Sequence, residues 1–434
     1  MLDKEDVFVG SIPSTWGIST IADETEYVTD YVANGSFESL AKNVTYKTKK
    51  DYAILIRLTD FNNDFKGDFV FVDKQAYDFL RKSKLHGGEI IISNVGAYAG
   101  TVFYAPKLGI PMTLGPNSIM MNFKSGNAFY YYWLKSPMGR FLLDGIISGS
   151  AQPKFNKTMF RQIKVPVPPP NELKAIASVL TGLDDKINLL NKQNATLENL
   201  AITIFRKWFV IPIKKGIEEG VISDGFSKGK FDNWISGTVG GEWGKDNLEG
   251  EFIKAVKCIR GTDIAGLNTG IPTKTPLRFV KESKFQSIEP KEGDLILEIS
   301  GGTENQSTGR ICYINEDVKK LFTYPLVFSN FCRMLRVKRF EYSYFLYCYI
   351  QYLYNQDEFF NLENGSSGIK NLDYKALLFE IEYPMPSEEL VIEFHKIVGP
   401  LFKKVNQNKT QILTISDLRD TLLPKLMSGE AIIN

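Results

Sequence analysis

Histidine is nearly missing from this chain: two occur in 434 residues, His86 and His395. Serine and cysteine triads and many zinc centres depend on histidine, so most hydrolytic and metal chemistry loses its usual base or ligand. His86 precedes a Gly-Gly turn and His395 sits in a helical pattern, which makes both expected surface or capping residues. Cysteine is also scarce. Cys258, Cys312, Cys332 and Cys348 share no C-x-x-C spacing, which fits reduced, mostly buried thiols in a cytoplasmic protein rather than disulfides or zinc. No apolar run reaches the roughly 18 residues that span a bilayer. The opening MLDKEDVFVG alternates charge and lacks a basic stretch before an apolar core, so no signal peptide is expected. Catalytic motifs are missing too. There is no G-x-x-x-x-G-K-[ST], no H-E-x-x-H and no Asn-Pro-Pro-aromatic loop, and no carboxylate set spaced like a nuclease centre. The expectation is a binding protein with no catalytic residues, metal or cofactor of its own.

What is present is ordinary in bulk and uneven in detail. Hydrophobic residues make up 43% and charged residues 24%, a globular composition, and the length suggests two to four units. The net charge of +2 argues for no particular partner. Residues 81–170, however, carry 11 Lys and Arg against 2 acids, while residues 1–80 carry 8 against 14. Either the acid-poor segment presents a basic face to phosphates, or folding interleaves the two segments and cancels the difference.

The strongest pattern is internal repetition. GSAQPKFNKTMFRQIKVPVPPPNEL (Gly149 to Leu173) returns as GSSGIKNLDYKALLFEIEYPMPSEEL (Gly365 to Leu390). Upstream, YAILIRLTDF matches VKCIRGTDI, and GGEIIISNVGAYAGTVFYA matches EGDLILEISGGTENQSTGRICYI, in the same order. The chain therefore reads as two divergent copies of one unit of about 200 residues, each a globular part followed by a long helix. The globular parts mix short β runs with aromatic-rich helical stretches, AFYYYWLKSPMGRFLLDGII and YSYFLYCYIQYLYNQDEFFN, whose rings are expected in the core. Arg57 and Arg260, each followed by x-Thr-Asp, are expected to pair with nearby acids.

The first helix shows a coiled-coil seam. Leu180, Leu183, Ile187, Leu190 and Leu197 alternate by three and four, with Asn194 in the one polar slot, where an amide sets register at some cost in stability. Asn171 is the expected N-cap after the proline run, and Leu173 to Trp208 would span about 54 Å. In the second helix Val405, Ile412 and Ile415 keep the alternation with Asn408 in the seam, and Gly399-Pro400 is expected to split off the segment from Glu388 to Val398. Approximate twofold symmetry would pair the two seams antiparallel. The alternative is that each helix packs on its own globular part.

These features together resemble a type I restriction–modification specificity subunit over essentially the whole chain. The carriers are IPSTWGISTIAD, the two Arg-x-Thr-Asp segments, GDLILEISGGTENQSTGRICYI, the GSAQPKFNK…VPVPPP boundary, ELKAIASVLTGLDDKINLLNKQNATLENL and LRDTLLPKLMSGE. The second boundary departs from the pattern, lacking the Gln-Pro of the first. The resemblance implies an α+β protein: two pseudo-symmetric α/β target-recognition domains separated by two long antiparallel coiled-coil helices. It implies domains at 1–170 and 211–386, and spacer helices at 171–210 and 387–434. The function implied is selection of a bipartite, asymmetric DNA site and recruitment of methyltransferase and restriction subunits, with S-adenosylmethionine, ATP and Mg acting on those partners. Expected DNA-facing residues lie on the strand-to-strand loops (Asn94 and Tyr98; Glu304, Asn305, Gln306 and Arg310) and on the boundary loops (Gln152, Lys154, Asn156 and Lys157; Lys370 and Asn371). Loop solvation or turn hydrogen bonding is the alternative for each. A non-catalytic protein-interaction scaffold with two related binding domains is the alternative for the whole.

Overall fold

The run Ile90-Ile91-Ile92 has no polar face, so its strand must be covered on both sides. In the computed structural model, which describes residues 12–269, 275–365 and 368–431, this strand lies inside an antiparallel sheet. The order is Thr25–Asp30, Ser118–Phe123, Ile90–Ser93, Val102–Tyr104. Side chains alternate across a strand. Ile90 and Ile92 accordingly enter one core with Trp16, Trp133 and Phe160, while Ile91 enters another with Phe103 and Met112. A second sheet joins Ala53–Ile56 to Val70–Val72 antiparallel and to Met112–Leu114 parallel.

The second copy repeats this plan. Its sheet order is Ile235–Gly240, Cys332–Val337, Leu295–Glu298, Ile311–Tyr313. Leu295 and Leu297 enter one core and Ile296 another. Phe252–Ile259 pairs antiparallel with Leu277–Lys281 and parallel with Leu326–Phe328, as its counterpart does. Arg57 and Arg260 pair as expected, each through a guanidinium fork on the buried Asp60 or Asp263, whose carboxylate also accepts the arginine's own backbone N–H. The aromatic helices are core: Phe129, Tyr130 and Trp133 in one copy and Phe345, Tyr349 and Leu346 in the other are buried. All four cysteines are free and buried, and burial raises their pKa values.

The chain divides into two compact units, residues 1–185 with 417–434, and residues 186–416. In the first unit Leu173, Ile176 and Leu180 share a core with Leu426 and Met427, and Asp184 accepts from both Arg419 and the Tyr132 hydroxyl at 2.7 Å. In the second unit the two long helices run antiparallel. Asn194 meets Asn408, and further along Phe205 and Phe209 meet Phe394. The Asn408 amide donates to Asn194 Oδ1 at 2.9 Å inside the seam. Among the other seam positions, Leu180, Leu190, Val405 and Ile412 are buried, and Leu183, Ile187, Leu197 and Ile415 are half-buried. In this unit the helices pack both on each other and on the globular core.

Three expectations about the helices change. The first, Pro170–Phe205, starts one residue before Asn171, because proline at the first helical position gives up an N–H that has no partner there anyway. It also runs past Trp208, through a π turn at Arg206–Val210 and on to Glu219. The extra residue in that turn lets Phe205, Phe209 and Val210 all reach the core. The second helix, Glu388–Met427, is unbroken at Gly399-Pro400. Pro400 is exposed and forfeits one backbone bond, while Val398, Phe402 and Val405 on either side are buried and hold the turns together. His395 is likewise not a surface residue. It is half-buried, stacked on Tyr344 and edge-on to Phe340. The N-terminal MLDKEDVFVG lies outside the described residues. Among those described, no helix is long and apolar enough to cross a membrane.

Two predictions follow from this packing. Asn408→Leu alone strands the buried Asn194 oxygen and should cost about 1–3 kcal/mol in urea unfolding, whereas replacing both with leucine should recover that loss or exceed it. Burial lowers the His395 pKa, with Glu341 opposing. Between the lowered folded value and the ordinary unfolded one, the unfolded chain binds more protons, so stability should fall as pH drops below about 6.5. Unfolding at pH 7.5 and 5.5 should show a smaller difference in His395→Phe than in the parent.

Candidate nucleic-acid interface

The central strand of each copy ends at the surface, and its exit loop meets the boundary loop that precedes the long helix. In the first unit, Val95 and Ser148 both bridge to Lys154, and the Gly96 N–H donates to Pro153 O at 2.9 Å. Asn94 is the clamp. Its carbonyl accepts from Phe155 N–H at 3.1 Å, and its side-chain amide donates to Phe155 O at 3.1 Å. Phe155 itself is buried and anchors the boundary loop in the core. Tyr98, 67% exposed, and the exposed Gln152 and Lys154 stand on the outer side of this clamp. Asn156 accepts from Met159 N–H and caps the helix Lys157–Arg161. Lys157 is half-buried and paired with Asp30 at 3.0 Å.

In the second unit the same meeting is made by strands. Ser300 pairs with Asn371 and Gly301 with Lys370, while Asn364 flanks Asn371 on the other side. The Ser300 hydroxyl donates to Asn371 Oδ1 at 2.7 Å. Glu304 and Asn305 stand exposed at the tip of the exit loop. Gln306 donates to the Tyr354 hydroxyl at 3.1 Å, and Lys370 pairs with Glu363 at 3.0 Å. Arg310 is engaged inside the fold, with Nε at 2.9 Å and Nη2 at 2.5 Å from the carboxylate of Glu298, which is 1% exposed. Gly261 and Gly301 make room for that carboxylate. A Cβ on either would lie 2.2 Å or 2.6 Å from Glu298 Oε1.

Each expected set of loop residues is therefore brought together, though not all on equal terms. Tyr98, Gln152, Lys154, Glu304 and Asn305 are exposed side chains, whereas Asn94, Lys157, Arg310, Lys370 and Asn371 are tied to neighbours that shape the loops. The basic segment 81–170 is partly cancelled by the acids before it, through Lys84 with Asp78 and Lys157 with Asp30. Four exposed aromatics beside the loops were not legible as site residues: Phe37, Tyr46, Trp243 and Phe331. Their signal was available in principle, since Phe37 follows a Ser cap in GSFESL and Trp243 sits between glycines in GGEWG, neither at a helical core spacing.

Comparison with known proteins agrees with this geometry. Residues 4–199 match the family model described as the type I restriction modification DNA specificity domain. The MjaIX specificity subunit of Methanocaldococcus jannaschii is 24% identical, with 97% of this chain and 95% of that protein aligned. The HindI specificity subunit of Haemophilus influenzae is 22% identical over 61% of this chain and 68% of its own length. The crystal structure of the type I restriction–modification S subunit from M. genitalium shares the fold, with a TM-score of 0.56, 19% identity, and 95% of this chain and 96% of that one covered. With the repeated sheets, the loop pairs at their exits and the long helices that follow them, this chain is similar along its length to the specificity subunits of type I restriction–modification systems.

Proposed function

We propose that this protein selects the DNA sequence for a type I restriction–modification enzyme and contributes no catalytic group itself. The observation that carries this reading is the duplicated junction of exit loop and boundary loop, built by bridges to Lys154 in one copy and by paired strands at Lys370 and Asn371 in the other. Two related but unequal reading heads suit a bipartite, asymmetric site. The proposed target-recognition domains are residues 1–170 and 211–386, and the spacer helices are residues 171–210 and 387–434. Methyltransferase subunits would dock on the spacer and restriction subunits on that assembly, in the cytoplasm, and those partners would bind S-adenosylmethionine, ATP and Mg.

Within the heads, the proposed division of labour follows the geometry. Lys154 would serve phosphates, and Tyr98, Gln152, Asn156, Glu304, Asn305 and Gln306 would meet base edges or sugars. Asn94, Lys157, Arg310, Lys370 and Asn371 act in the interface by fixing the loops on which those groups ride. The 36 residues of the first helix extend about 54 Å, ample for half-sites one DNA turn, about 34–36 Å, apart. A protein-interaction scaffold would instead bind a protein partner with no salt dependence and show no affinity for duplex DNA.

Two measurements test the reading on the chain assembled with its methyltransferase subunits. Lys154→Glu should weaken binding to all duplexes and lower the slope of log affinity against log salt by about 1. Adding one heptad to both helices, after Leu190 and after Ile412, keeps the seam and lengthens it by about 10 Å. The selected site should then gain roughly 3 base pairs between its halves, at 3.4 Å per pair. An unchanged spacing would rule out the helices as the ruler.

A further inference from the structure

Strand register gives a residue-by-residue equivalence between the two units. Ser93 faces Ser118 in the first sheet as Glu298 faces Cys332 in the second, and Asp30 faces Ile119 as Gly240 faces Arg333. Asn117 therefore corresponds to Phe331, and the segment after Asp30 to the segment after Gly240. One hydrogen bond repeats at this corner: Asn94 N–H donates to Asn117 O at 3.0 Å, and Ile299 N–H to Phe331 O at 2.9 Å. Each unit has a cavity here, about 490 Å³ in the first and about 700 Å³ in the second.

Both cavities are rimmed by exposed aromatic side chains. Phe37 (84% exposed) and Tyr46 line the first, and Trp243 (37%) and Phe331 (47%) line the second. A single exposed ring is ordinary, but here a pair of them lines the corresponding cavity in each of two diverged copies. Trp243 is held in advance. The buried Arg278 guanidinium lies 4.4 Å over its ring and donates to its carbonyl at 3.0 Å. The two arginines lining the second cavity are occupied, Arg260 by Asp263 and Arg310 by Glu298. Its remaining polar groups, such as Ser300, Thr303 and Asn330, are neutral. A cavity with aromatic walls, compensated charge and neutral hydrogen-bonding groups fits a flat, uncharged heteroaromatic ring better than a phosphate.

We propose that Trp243 and Phe331 in the second cavity, and Phe37 and Tyr46 in the first, are specificity-determining residues that grip a nucleobase of the target at the two equivalent cavities. This rests on the DNA-binding reading above and assigns the discrimination to apolar and stacking contact as well as to the polar loop tips. The experiment compares the parent with Phe37→Ala, Trp243→Ala and Phe331→Ala, each as full chain assembled with methyltransferase subunits, on a selected duplex and on scrambled duplexes. Phe37 and Phe331 are exposed enough that their replacement leaves folding intact, so the test does not hang on Trp243. Each variant should lose about 10-fold or more in the ratio of selected to scrambled affinity. The relaxation should fall in one half-site only, Phe37→Ala in one half and the other two in the opposite half, with unchanged affinity for scrambled DNA. An unchanged ratio in Phe37→Ala and Phe331→Ala overturns the proposal. So does an equal loss on scrambled DNA, which would assign the rings to the backbone, or weakened assembly with an intact ratio, which would assign them to a protein partner. Failure of the parent itself to discriminate between duplexes would instead overturn the DNA reading.

Discussion

A strand buried on both faces has no surface to offer except its ends. Ile90–Ser93 and Leu295–Glu298 are such strands, with consecutive side chains committed to different cores. Neither strand can shift by one residue without exchanging the two cores' contents, so its exit point is fixed as firmly as any part of the molecule. The loops that leave from there inherit that fixity at their base and are free to vary at their tips. The boundary loop is drawn to the same place because it must close the sheet's end before the chain enters the long helix. The junction of the two loops is thus a by-product of how each core is sealed.

Much of this was legible because it rests on local pattern. The apolar triplets, the Arg-x-Thr-Asp caps, the seam leucines and the seam asparagines each depend on spacings of a few residues. What resisted reading depends on partners distant in sequence. Nothing near Asn94 indicates that its amide will clamp Phe155, and nothing near Glu298 indicates that it will claim Arg310. Pro400 reads locally as a break and is overruled by Val398 and Phe402, whose burial depends on the whole unit. His395 reads as polar surface and is taken up by Tyr344 and Phe340, from a different element. The exposed aromatics escaped for the opposite reason: hydrophobicity alone assigns a ring to the core, and only the solved surroundings of Phe37 or Trp243 show it standing outside.

The two copies close the same junction by different means, and that difference has a consequence for how each can change. In the first, Ser93 and Thr101 occupy the positions that Glu298 and Arg310 hold in the second, and they are small and neutral. Replacing either by another small neutral residue strands no charge, because neither position carries one. In the second, the half-buried Arg310 is held on the buried Glu298, whose carboxylate lies against two glycines that admit no side chain. Removing either partner alone strands the other at a cost of several kcal/mol. The junction in the first copy can therefore change one residue at a time. The junction in the second changes without that loss only when both partners of the pair are replaced together.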